Sequence, residues 1–462
     1  MNTNATLSLT SLGPITPRGR RAWLRMAVSA SLMLLGTVPA LQAGDTTRVS
    51  VDSAGVEGNG FSTAPSISSM ANGRYVAFQS DASNLVPGDG NGLPDVFLYD
   101  RQSGKTVRVS VGSAGAEGNN SSFAPSISAD SINVAFSSAA SNLVPGDGNG
   151  ATDVFVHNRL GSVTTRVSVD SNGAEGNGQS ALPDITGSGQ YVSFVSFASN
   201  LVPGDANGVA DIFVHDVLTG PTTRVSVGSG GVEANGGSQS ASISANTGRY
   251  VAFASVASNL VSGDGNGLAD VFVHDRQTGR TVRVSVSSAG AEGNGGSARP
   301  SISDNGRYVA FVSGANNLVP GDGNLSPDIF VRDLQLGLTT RVSVDSAGAE
   351  GNSESDFPSI SGSGLFVAFY SNASNLVQGD GNGQPDIFVY DRNTGLTTRE
   401  SVDSSGAEGN DQSTLPSITA NGRHVAFESF ASNLVPADGN AVPDCFVHIR
   451  TGQSLGATTT SH

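Results

Sequence analysis

Short runs of β-branched and aromatic residues recur along the chain, and turn-forming polar residues separate them. Four such runs follow one another from residue 65 to residue 111: PSIS, RYVAFQS, DVFLYD and KTVRVSV, here called A, B, C and D. The segments MANG and RQSG, which join A to B and C to D, are typical of tight turns. This pattern predicts a four-stranded antiparallel meander, and nothing after residue 45 has the pattern of a helix.

The meander is one unit of a repeat. The stretch NLVPGDGNGLPDVFLYD, which ends in run C, returns six times with small changes, and its first Asp recurs at intervals of 58 or 59 residues. Seven units of this length, each with four short strands, predict an all-β fold. The expected architecture is a seven-bladed β-propeller with four-stranded antiparallel blades of about 58 residues.

The phase of the repeat predicts how the ring closes. Runs A, B and C occur seven times, but no good D run follows the last C run. An extra D run, TTRVSV (Thr46 to Val51), instead precedes the first A run. As the outer strand of the last blade it would join the two ends of the chain, which an open solenoid does not need.

Composition divides the chain into three segments. Residues 1–43 contain four arginines and no acid, and an apolar run and small residues follow up to Ala43. This composition predicts an export signal peptide, and RRAWLR (Arg20 to Arg25) leaves the twin-arginine and ordinary secretory routes open. Residues 45–449 form the predicted propeller, and residues 450–462 form a flexible tail. The expected location is the bacterial periplasm or the exterior of the cell.

Charge and cysteine content narrow the range of partners. The formal charge of the chain is −16, and cleavage after Ala43 would remove four arginines and change it to −20. This balance disfavours nucleic acids and anionic membranes and favours cations or a basic protein partner. The one cysteine, Cys445, cannot form an internal disulfide, and no later segment is apolar for long enough to span a bilayer. We expect a monomer.

The first unit, from PSIS to VRVSV, resembles the TolB-type, WD40-like propeller repeats of bacterial envelope proteins. Its matching residues are Pro65, Ile67, Gly73, Arg74, Ala77, Phe78, Ser80, Asp95, Phe97 and Asp100. The resemblance covers residues 45–449 and implies a propeller that serves as a binding platform with varied partners. This chain has longer loops between B and C and between D and A, so the resemblance does not assign it any partner of the family.

The two long loops of each unit hold most of the candidate chemistry. Turns of a meander alternate between its two ends, so the B-to-C and D-to-A loops should emerge on one face of the disc. The D-to-A loop has Glu and Asn in every copy, as in Glu57 and Asn59. The B-to-C loop has Asp, Asn and Asp in every copy, and these candidate metal ligands are Asp89, Asn91, Asp95, Asp147, Asn149, Asp153, Asp205, Asn207, Asp211, Asp264, Asn266, Asp270, Asp322, Asn324, Asp328, Asp380, Asn382, Asp386, Asp438, Asn440 and Asp444.

The spacing Asp-x-Asn-x-x-x-Asp leaves two interpretations open. Calcium binds six to eight oxygen ligands, and the loop is similar to a shortened form of the calcium loops of integrin-type propellers. Alternatively, the Asp and Asn side chains only bond their own backbone in Asx-turns. A phosphate loop is excluded, because it needs free N–H groups at a helix start and usually a Lys, whereas this loop is acidic and enters a strand.

Other residues with possible chemistry have structural interpretations. A run D arginine, Arg108 in the first unit, should pair with a carboxylate of its blade, and Cys445 replaces Val or Ile and should lie in the core. Four of the six histidines share one position of run C, where other copies have Tyr or Arg, and half-exposed packing is expected there rather than metal binding. They are His157, His215, His274 and His448.

Symmetry guides the prediction of function. Catalysis usually needs one asymmetric group of residues, whereas this chain repeats its candidates almost throughout. The favoured hypothesis is an exported, non-enzymatic platform whose acidic face binds an unknown protein partner, with calcium as a candidate for ordering the loops. Two alternatives stay open. One is a hydrolase or lyase at the mouth of the central channel near Asp184, which interrupts a series of serines, and the other is a structural envelope protein.

Overall fold

The computed structural model describes residues 44–69 and 72–450, which form seven antiparallel sheets of four strands each. Inner strands of consecutive sheets contact each other, and the first sheet also contacts the seventh. The predicted seven-bladed β-propeller is therefore confirmed. No helix long and apolar enough to cross a membrane occurs in the described ranges. The predicted export signal and all of the predicted tail after Arg450 lie outside them.

Each blade runs from an inner strand A to an outer strand D, and the letters follow the sequence repeat. The A strands are β2 (Ser62–Ile67), β6 (Ser122–Ile127), β10 (Ser180–Ile185), β14 (Ser238–Ile243), β18 (Ser297–Ile302), β22 (Ser355–Ile360) and β26 (Ser413–Ile418). The B strands are β3 (Tyr75–Ser80), β7 (Asn133–Ser138), β11 (Tyr191–Ser196), β15 (Tyr250–Ser255), β19 (Tyr308–Ser313), β23 (Phe366–Ser371) and β27 (His424–Ser429). The C strands are β4 (Asp95–Asp100), β8 (Asp153–Asn158), β12 (Asp211–Asp216), β16 (Asp270–Asp275), β20 (Asp328–Asp333), β24 (Asp386–Asp391) and β28 (Asp444–Ile449). The D strands are β5 (Lys105–Arg108), β9 (Val163–Arg166), β13 (Thr222–Arg224), β17 (Arg280–Arg283), β21 (Leu338–Arg341), β25 (Leu396–Arg399) and β1 (Thr46–Arg48).

Strand D is shorter than the sequence pattern predicts. In blade 1 it ends at Arg108 rather than Val111. The reason is that the hydroxyl of Ser110 accepts the N–H of Val96 at 3.0 Å, so a side chain takes the place of the next backbone acceptor. The chain then leaves the sheet and starts the D-to-A loop.

Strand A is longer than predicted and contains a bulge. It begins at Ser62, and its pairing with strand B shifts between Thr63 and Ser66. Ala64, inside this bulge, has a φ of 50°, which is uncommon for a residue with a side chain. The same bulge occurs in every blade, and the residues at this position line the central channel.

The N-terminal strand closes the ring. β1 is the outer strand of the seventh sheet and pairs antiparallel with β28, with Thr46 opposite His448 and Arg48 opposite Phe446. The Thr46 Oγ1 and His448 Nδ1 atoms are also 2.8 Å apart. The closure that the repeat phase predicts is therefore confirmed.

Phenylalanines and small aliphatic residues form the core between blades. Phe78 of strand B and Phe97 of strand C lie opposite each other with ring centroids 5.9 Å apart, and both are fully buried. In the next layer, Ala77 and Leu98 of blade 1 share a cluster with Phe136 of blade 2. Each cluster spans two blades. Apolar burial, at roughly 25 cal/mol per Å², therefore stabilises the contact between neighbouring blades as well as each sheet.

A glycine of the A-to-B turn lets neighbouring blades approach. Gly306 has a φ of +74°, and a Cβ at this position would lie 2.1 Å from Cδ2 of Tyr250 in the preceding blade. A side chain would therefore meet both an unfavourable backbone conformation and a ring. Gly279, in a C-to-D turn, has a similar φ of +69° but no atom within 4 Å of the Cβ position.

A ring of hydrogen bonds joins the inner strands around the channel. The N–H of Ile127 donates to Ser66 Oγ of the preceding blade at 3.1 Å, and equivalent bonds link all seven neighbouring pairs. In blade 3, Asp184 takes the place of the serine, and its Oδ2 accepts the N–H of Ile243 at 2.9 Å. The serine series that Asp184 interrupts therefore fixes the blades to each other.

Candidate functional site

The two long loops meet on one face of the propeller, as predicted. In blade 1 the N–H of Gly90, in the B-to-C loop, donates to Glu117 Oε1 at 3.1 Å. Glu117 lies in the D-to-A loop that leads into blade 2. Oxygen atoms of Asp89, Asp95 and Glu117 lie within 4.8 Å of one another, so two blades contribute to one carboxylate trio.

An arginine of strand D contacts all three carboxylates of each trio. Arg108 Nη1 lies 3.0 Å from Asp95 Oδ2 and 3.5 Å from Asp89 Oδ1, and it also donates to Glu117. The expected ion pair of this arginine is confirmed. The arginines that make the equivalent contacts in the seven blades are Arg48, Arg108, Arg166, Arg224, Arg283, Arg341 and Arg399.

The asparagine of the loop forms an Asx-turn. Asn91 Oδ1 accepts the N–H of Leu93 at 2.7 Å, and its Nδ2 donates to the carbonyl of Gly118 at 2.9 Å. The side-chain oxygen that was a candidate calcium ligand is therefore already bonded to backbone. Asp89 and Asp95 form their trio with Glu117, whereas Glu57 joins Asp438 and Asp444.

The predicted metal ligands are thus brought together blade by blade. Three grouped carboxylates are donors that a divalent cation accepts. Calcium itself stays a prediction. In the structure, the guanidinium already supplies a positive charge to the same oxygens. Burial raises the pKa of Asp89 to about 6, and it does the same for Asp147, Asp322 and Asp438.

The histidines and the cysteine have structural roles. His157 is buried, and its Nδ1 lies 2.9 Å from Thr164 Oγ1. The same contact occurs at His215 and His274, and burial lowers the pKa of each imidazole. These histidines are buried and not half-exposed as expected, because a threonine hydroxyl bonds the ring nitrogen. Cys445 is fully buried in the core, as predicted.

Sevenfold symmetry breaks down at the mouth of the central channel on the loop face. A cavity of about 480 Å³ is lined by the third and fourth residues of all seven A strands. The fourth residue is proline in every blade except blade 4. The third residue, at the bulge, differs between blades: Ala64, Ala124, Leu182, Ser240, Arg299, Phe357 and Leu415.

Blades 5 and 6 place a charged and aromatic group beside this cavity, here called the mouth cluster: Arg299, Asp356, Phe357 and Tyr370. Arg299 and Phe357 line the cavity itself, and Asp356 and Tyr370 contact these two side chains. Arg299 Nε lies 3.3 Å from Asp356 Oδ1, and the guanidinium carbon is 3.6 Å from the centre of the Phe357 ring. The rings of Phe357 and Tyr370 are 5.8 Å apart. Asp356 and Tyr370 come together because they are opposite residues of β22 and β23.

Burial and neighbouring charges both act on the ionisable groups of the mouth cluster. Burial raises the pKa of Asp356, although the N–H of Phe357 and the charge of Arg299 oppose this shift. Burial also raises the pKa of Tyr370, and the charges of Asp356 and Glu354 add to it. The Arg299 side chain is 41% exposed, so its guanidinium can also contact a bound anion.

The sequence analysis did not find the mouth cluster, because it sought residues that recur. Variation between the copies, instead of recurrence, identifies it. Most core positions are invariant among the seven copies, whereas the positions of Thr63, Ala64, Gln79 and Asp81 change from blade to blade. Asp184, where the sequence placed the enzymatic alternative, is not part of the cluster. Its Oδ1 accepts the hydroxyl of Ser126 at 3.1 Å within the inter-blade ring.

Comparison with known proteins is informative at the level of structure. No protein-family model matches the chain, and no curated protein does. An oligogalacturonate lyase in complex with manganese matches with a TM-score of 0.53 and 13% identity, over 88% of this chain and 93% of that one. The oligogalacturonate lyase of Vibrio parahaemolyticus matches with a TM-score of 0.52 and 12% identity, over 87% and 92%. A TolB from Agrobacterium tumefaciens, at 16% identity, has a TM-score of 0.38 over 61% and 80%.

The fold and the repeat motifs define the class of the protein. The chain is a seven-bladed β-propeller, and its repeat motifs resemble those of TolB-type propellers. The motif residues quoted for the resemblance occupy the same strand positions from blade to blade, for example Phe78 in strand B and Phe97 in strand C.

The functional interpretation needs a correction. Sequence symmetry favoured a non-enzymatic binding platform, and this main hypothesis is wrong on two grounds. The mouth cluster is the asymmetric group that seemed to be missing, and the structures that match over most of both chains include two lyases. The alternative, a hydrolase or lyase at the channel mouth, has the better support.

Proposed function

We propose that the protein is a lyase that cleaves uronate-containing oligosaccharides at the mouth cluster. The observation that carries this proposal is the Arg299–Asp356–Tyr370 arrangement beside a cavity of about 480 Å³. It combines a cation, a carboxyl group and a phenol in an otherwise symmetric ring. The fold similarity to two oligogalacturonate lyases supports the choice of reaction class.

Three members of the cluster, Arg299, Asp356 and Tyr370, each have a role in such an elimination. The guanidinium of Arg299 would bind the carboxylate of the uronate and stabilise the negative charge that develops when the neighbouring C–H loses its proton. Asp356, whose pKa burial raises, would accept that proton. Tyr370 would protonate the departing oxygen, which leaves a double bond in the ring of the product.

The manganese of the matching lyase has no role in this proposal. The carboxylate trios of this chain, such as Asp89, Asp95 and Glu117, lie in the loops and each already contacts an arginine. Their donor set would suit a divalent cation only if the guanidinium moved away. The proposed elimination therefore uses side chains of the mouth cluster alone.

The test is an assay of the purified protein with oligogalacturonate. A lyase produces an unsaturated uronate that absorbs ultraviolet light, together with one new reducing end per cleavage. A hydrolase produces the reducing end without the absorbance, so measuring both signals separates the two reactions. We expect both signals to rise together.

Matched variants locate the reaction. Arg299→Ala and Asp356→Asn should each lower kcat/KM about a hundredfold or more, because each removes a group that acts on the reacting atoms. Arg249→Ala is the control, since Arg249 pairs with Asp275 in the A-to-B turn region, away from the mouth. Neither signal from the wild-type protein, or equal loss in all three variants, would contradict the proposal.

We further propose that the protein is exported. The basic and apolar composition of residues 1–43 supports this location. N-terminal sequencing of the protein recovered from the periplasm or the medium should begin at Gly44. A mature protein that still starts at Met1 in the cytoplasm would contradict export.

A further inference from the structure

An apolar trough lies beside the channel mouth, between blades 3 and 4. Its volume is about 550 Å³, and none of the residues that line it is charged. The large apolar side chains among them are Leu182, Val195, Phe197, Val209 and Val256. The loop face around it is rich in carboxylates, so this part of the surface differs in character from its surroundings.

The fold does not require apolar side chains at the rim of the trough. Phe197 is 63% exposed and Val256 is 58% exposed, so neither contributes much to the core. At the same position after strand B, blade 1 has Asp81 and blade 6 has Asn372. Exposed apolar side chains grouped in a concave surface are typical of binding sites.

The trough is continuous with the proposed reaction site. Leu182, whose side chain is 50% exposed, lines both the trough and the central cavity. Arg299 lines the same central cavity from blade 5. A ligand whose charged group contacts Arg299 can therefore extend an uncharged group across the mouth into the trough.

Charge limits what such a ligand can be. The loop face carries seven trios of two Asp and one Glu, each with a single arginine, and the whole chain has a formal charge of −16. A fully ionised polyuronate would meet long-range repulsion there. A substrate with one free carboxylate for Arg299 and esterified neighbouring carboxyl groups would not.

We propose that the trough binds an aromatic ester group of the substrate, on the uronate next to the one that contacts Arg299. This inference rests on the proposed function and specifies its substrate class: a uronate oligosaccharide esterified with an aromatic alcohol such as benzyl alcohol. The exposed Phe197 ring stacks on the aromatic group, and Val209 and Val256 cover its edges. Esterification also removes a negative charge that the acidic loop face disfavours.

The experiment compares three forms of one uronate trisaccharide: the free acid, the methyl ester and the benzyl ester of the neighbouring residue. We expect kcat/KM to rise from free acid to methyl ester to benzyl ester, with about a tenfold gain from methyl to benzyl. Phe197→Asn, which introduces the residue of blade 6, should remove the gain for the benzyl ester and leave the free acid unchanged.

Phe430→Asn is the matched control, because Phe430 occupies the same repeat position in blade 7 and is 38% exposed. It should keep the preference for the benzyl ester. Calorimetric titration of the same benzyl ester into the Asp356→Asn variant, which should turn it over only slowly, gives a second readout of the trough.

The possible results separate the two proposals. Turnover that is equal for all three esters, or a benzyl preference that survives Phe197→Asn, would overturn the aromatic subsite while leaving the lyase intact. A gain for the methyl ester alone would show that the trough selects neutral alkyl esters and would also overturn it. Absence of turnover with benzyl-ester binding that depends on Phe197 would overturn the lyase and leave the subsite.

Discussion

Arg108 and Asp95 form the central contact of a cluster that recurs in every blade: Arg108 Nη1 lies 3.0 Å from Asp95 Oδ2, and the Asp95 side chain is fully buried. The hydroxyl of Ser110 donates to the other carboxylate oxygen at 2.5 Å. Asn91 Nδ2 also donates to Asp95 Oδ2, at 3.5 Å, so the buried carboxylate has three side-chain partners, and the arginine is the one that supplies charge.

Replacing this arginine tests whether calcium can take the place of the guanidinium between the three carboxylates. Arg108→Gln leaves Asp89, Asp95 and Glu117 without a cation, so we expect a loss of about 3 kcal/mol in the free energy of unfolding. Calcium should then restore part of this loss in the variant and raise its Tm more than that of the wild-type protein. Melting curves in calcium and in chelator measure both effects. No calcium-dependent shift in either protein would contradict calcium binding by these loops.

The equivalent arginine of the closing strand should matter more for the rate of unfolding. Arg48 Nη1 lies 3.1 Å from Asp444 Oδ2, a residue 396 positions away in sequence. Its loss loosens a terminal strand, and terminal strands open first. We expect Arg48→Gln to speed unfolding in denaturant about tenfold relative to Arg108→Gln, which has the same chemistry inside the chain. Equal unfolding rates in stopped-flow measurements would show that β1 is not the weak point of the ring.

The buried loop carboxylates should make stability depend on pH. The pKa of Asp89, Asp147 and Asp322 is about 6 in the folded protein, above the ordinary value of 3.8. The folded state therefore favours their protonated form. Their contribution to stability is fully present below pH 4 and is lost as the pH rises through about 6.

Substitution of these residues tests the sign of this effect. The triple variant Asp89→Asn, Asp147→Asn, Asp322→Asn should show a smaller fall in Tm between pH 4 and pH 6 than the wild-type protein. Asp170→Asn is the control, because backbone N–H groups of the D-to-A loop lower the pKa of Asp170. The control should keep the wild-type slope in this range, and a triple variant with that same slope would contradict the assignment.

Two glycines with similar φ allow the cost of backbone strain to be measured apart from the cost of overlap between blades. Gly279→Ala should cost about 1 kcal/mol, because the methyl group meets no atom but φ is +69°. Gly306→Ala should cost roughly 1–3 kcal/mol more, because its methyl group would overlap the Tyr250 ring of the preceding blade. Chemical denaturation measures both. Equal costs would mean that the blades can shift apart without penalty.

The repeat allowed much of the fold to be predicted. Strand C was placed correctly at Asp95–Asp100, and the extra D run at Thr46 correctly closed the ring. The ends of strands A and D were less accurate. A bulge at Ala64 and the hydroxyl of Ser110 decide them, and neither leaves a distinct signal in a single copy of the repeat.

The candidate site was predicted only in part. The Asp, Asn and Glu residues of the loops were found because they recur, but the arginine at their centre comes from strand D, 19 residues after Asp89 in the first unit. Arg299 and Asp356 lie 57 residues apart on neighbouring blades, at two repeat positions that both change from copy to copy. Sequence proximity could not bring them together.

The sequence by itself determined the number of blades, their strand content and the point of closure, because seven four-stranded units with a displaced outer strand bury their faces and join the chain ends as a ring. The tertiary structure alone decided which side chains share the channel mouth. A ring brings the third residue of seven distant strands to one axis, so Arg299, Phe357 and Leu182 become neighbours of a single cavity. That convergence depends on the geometry of closure, which no individual repeat contains.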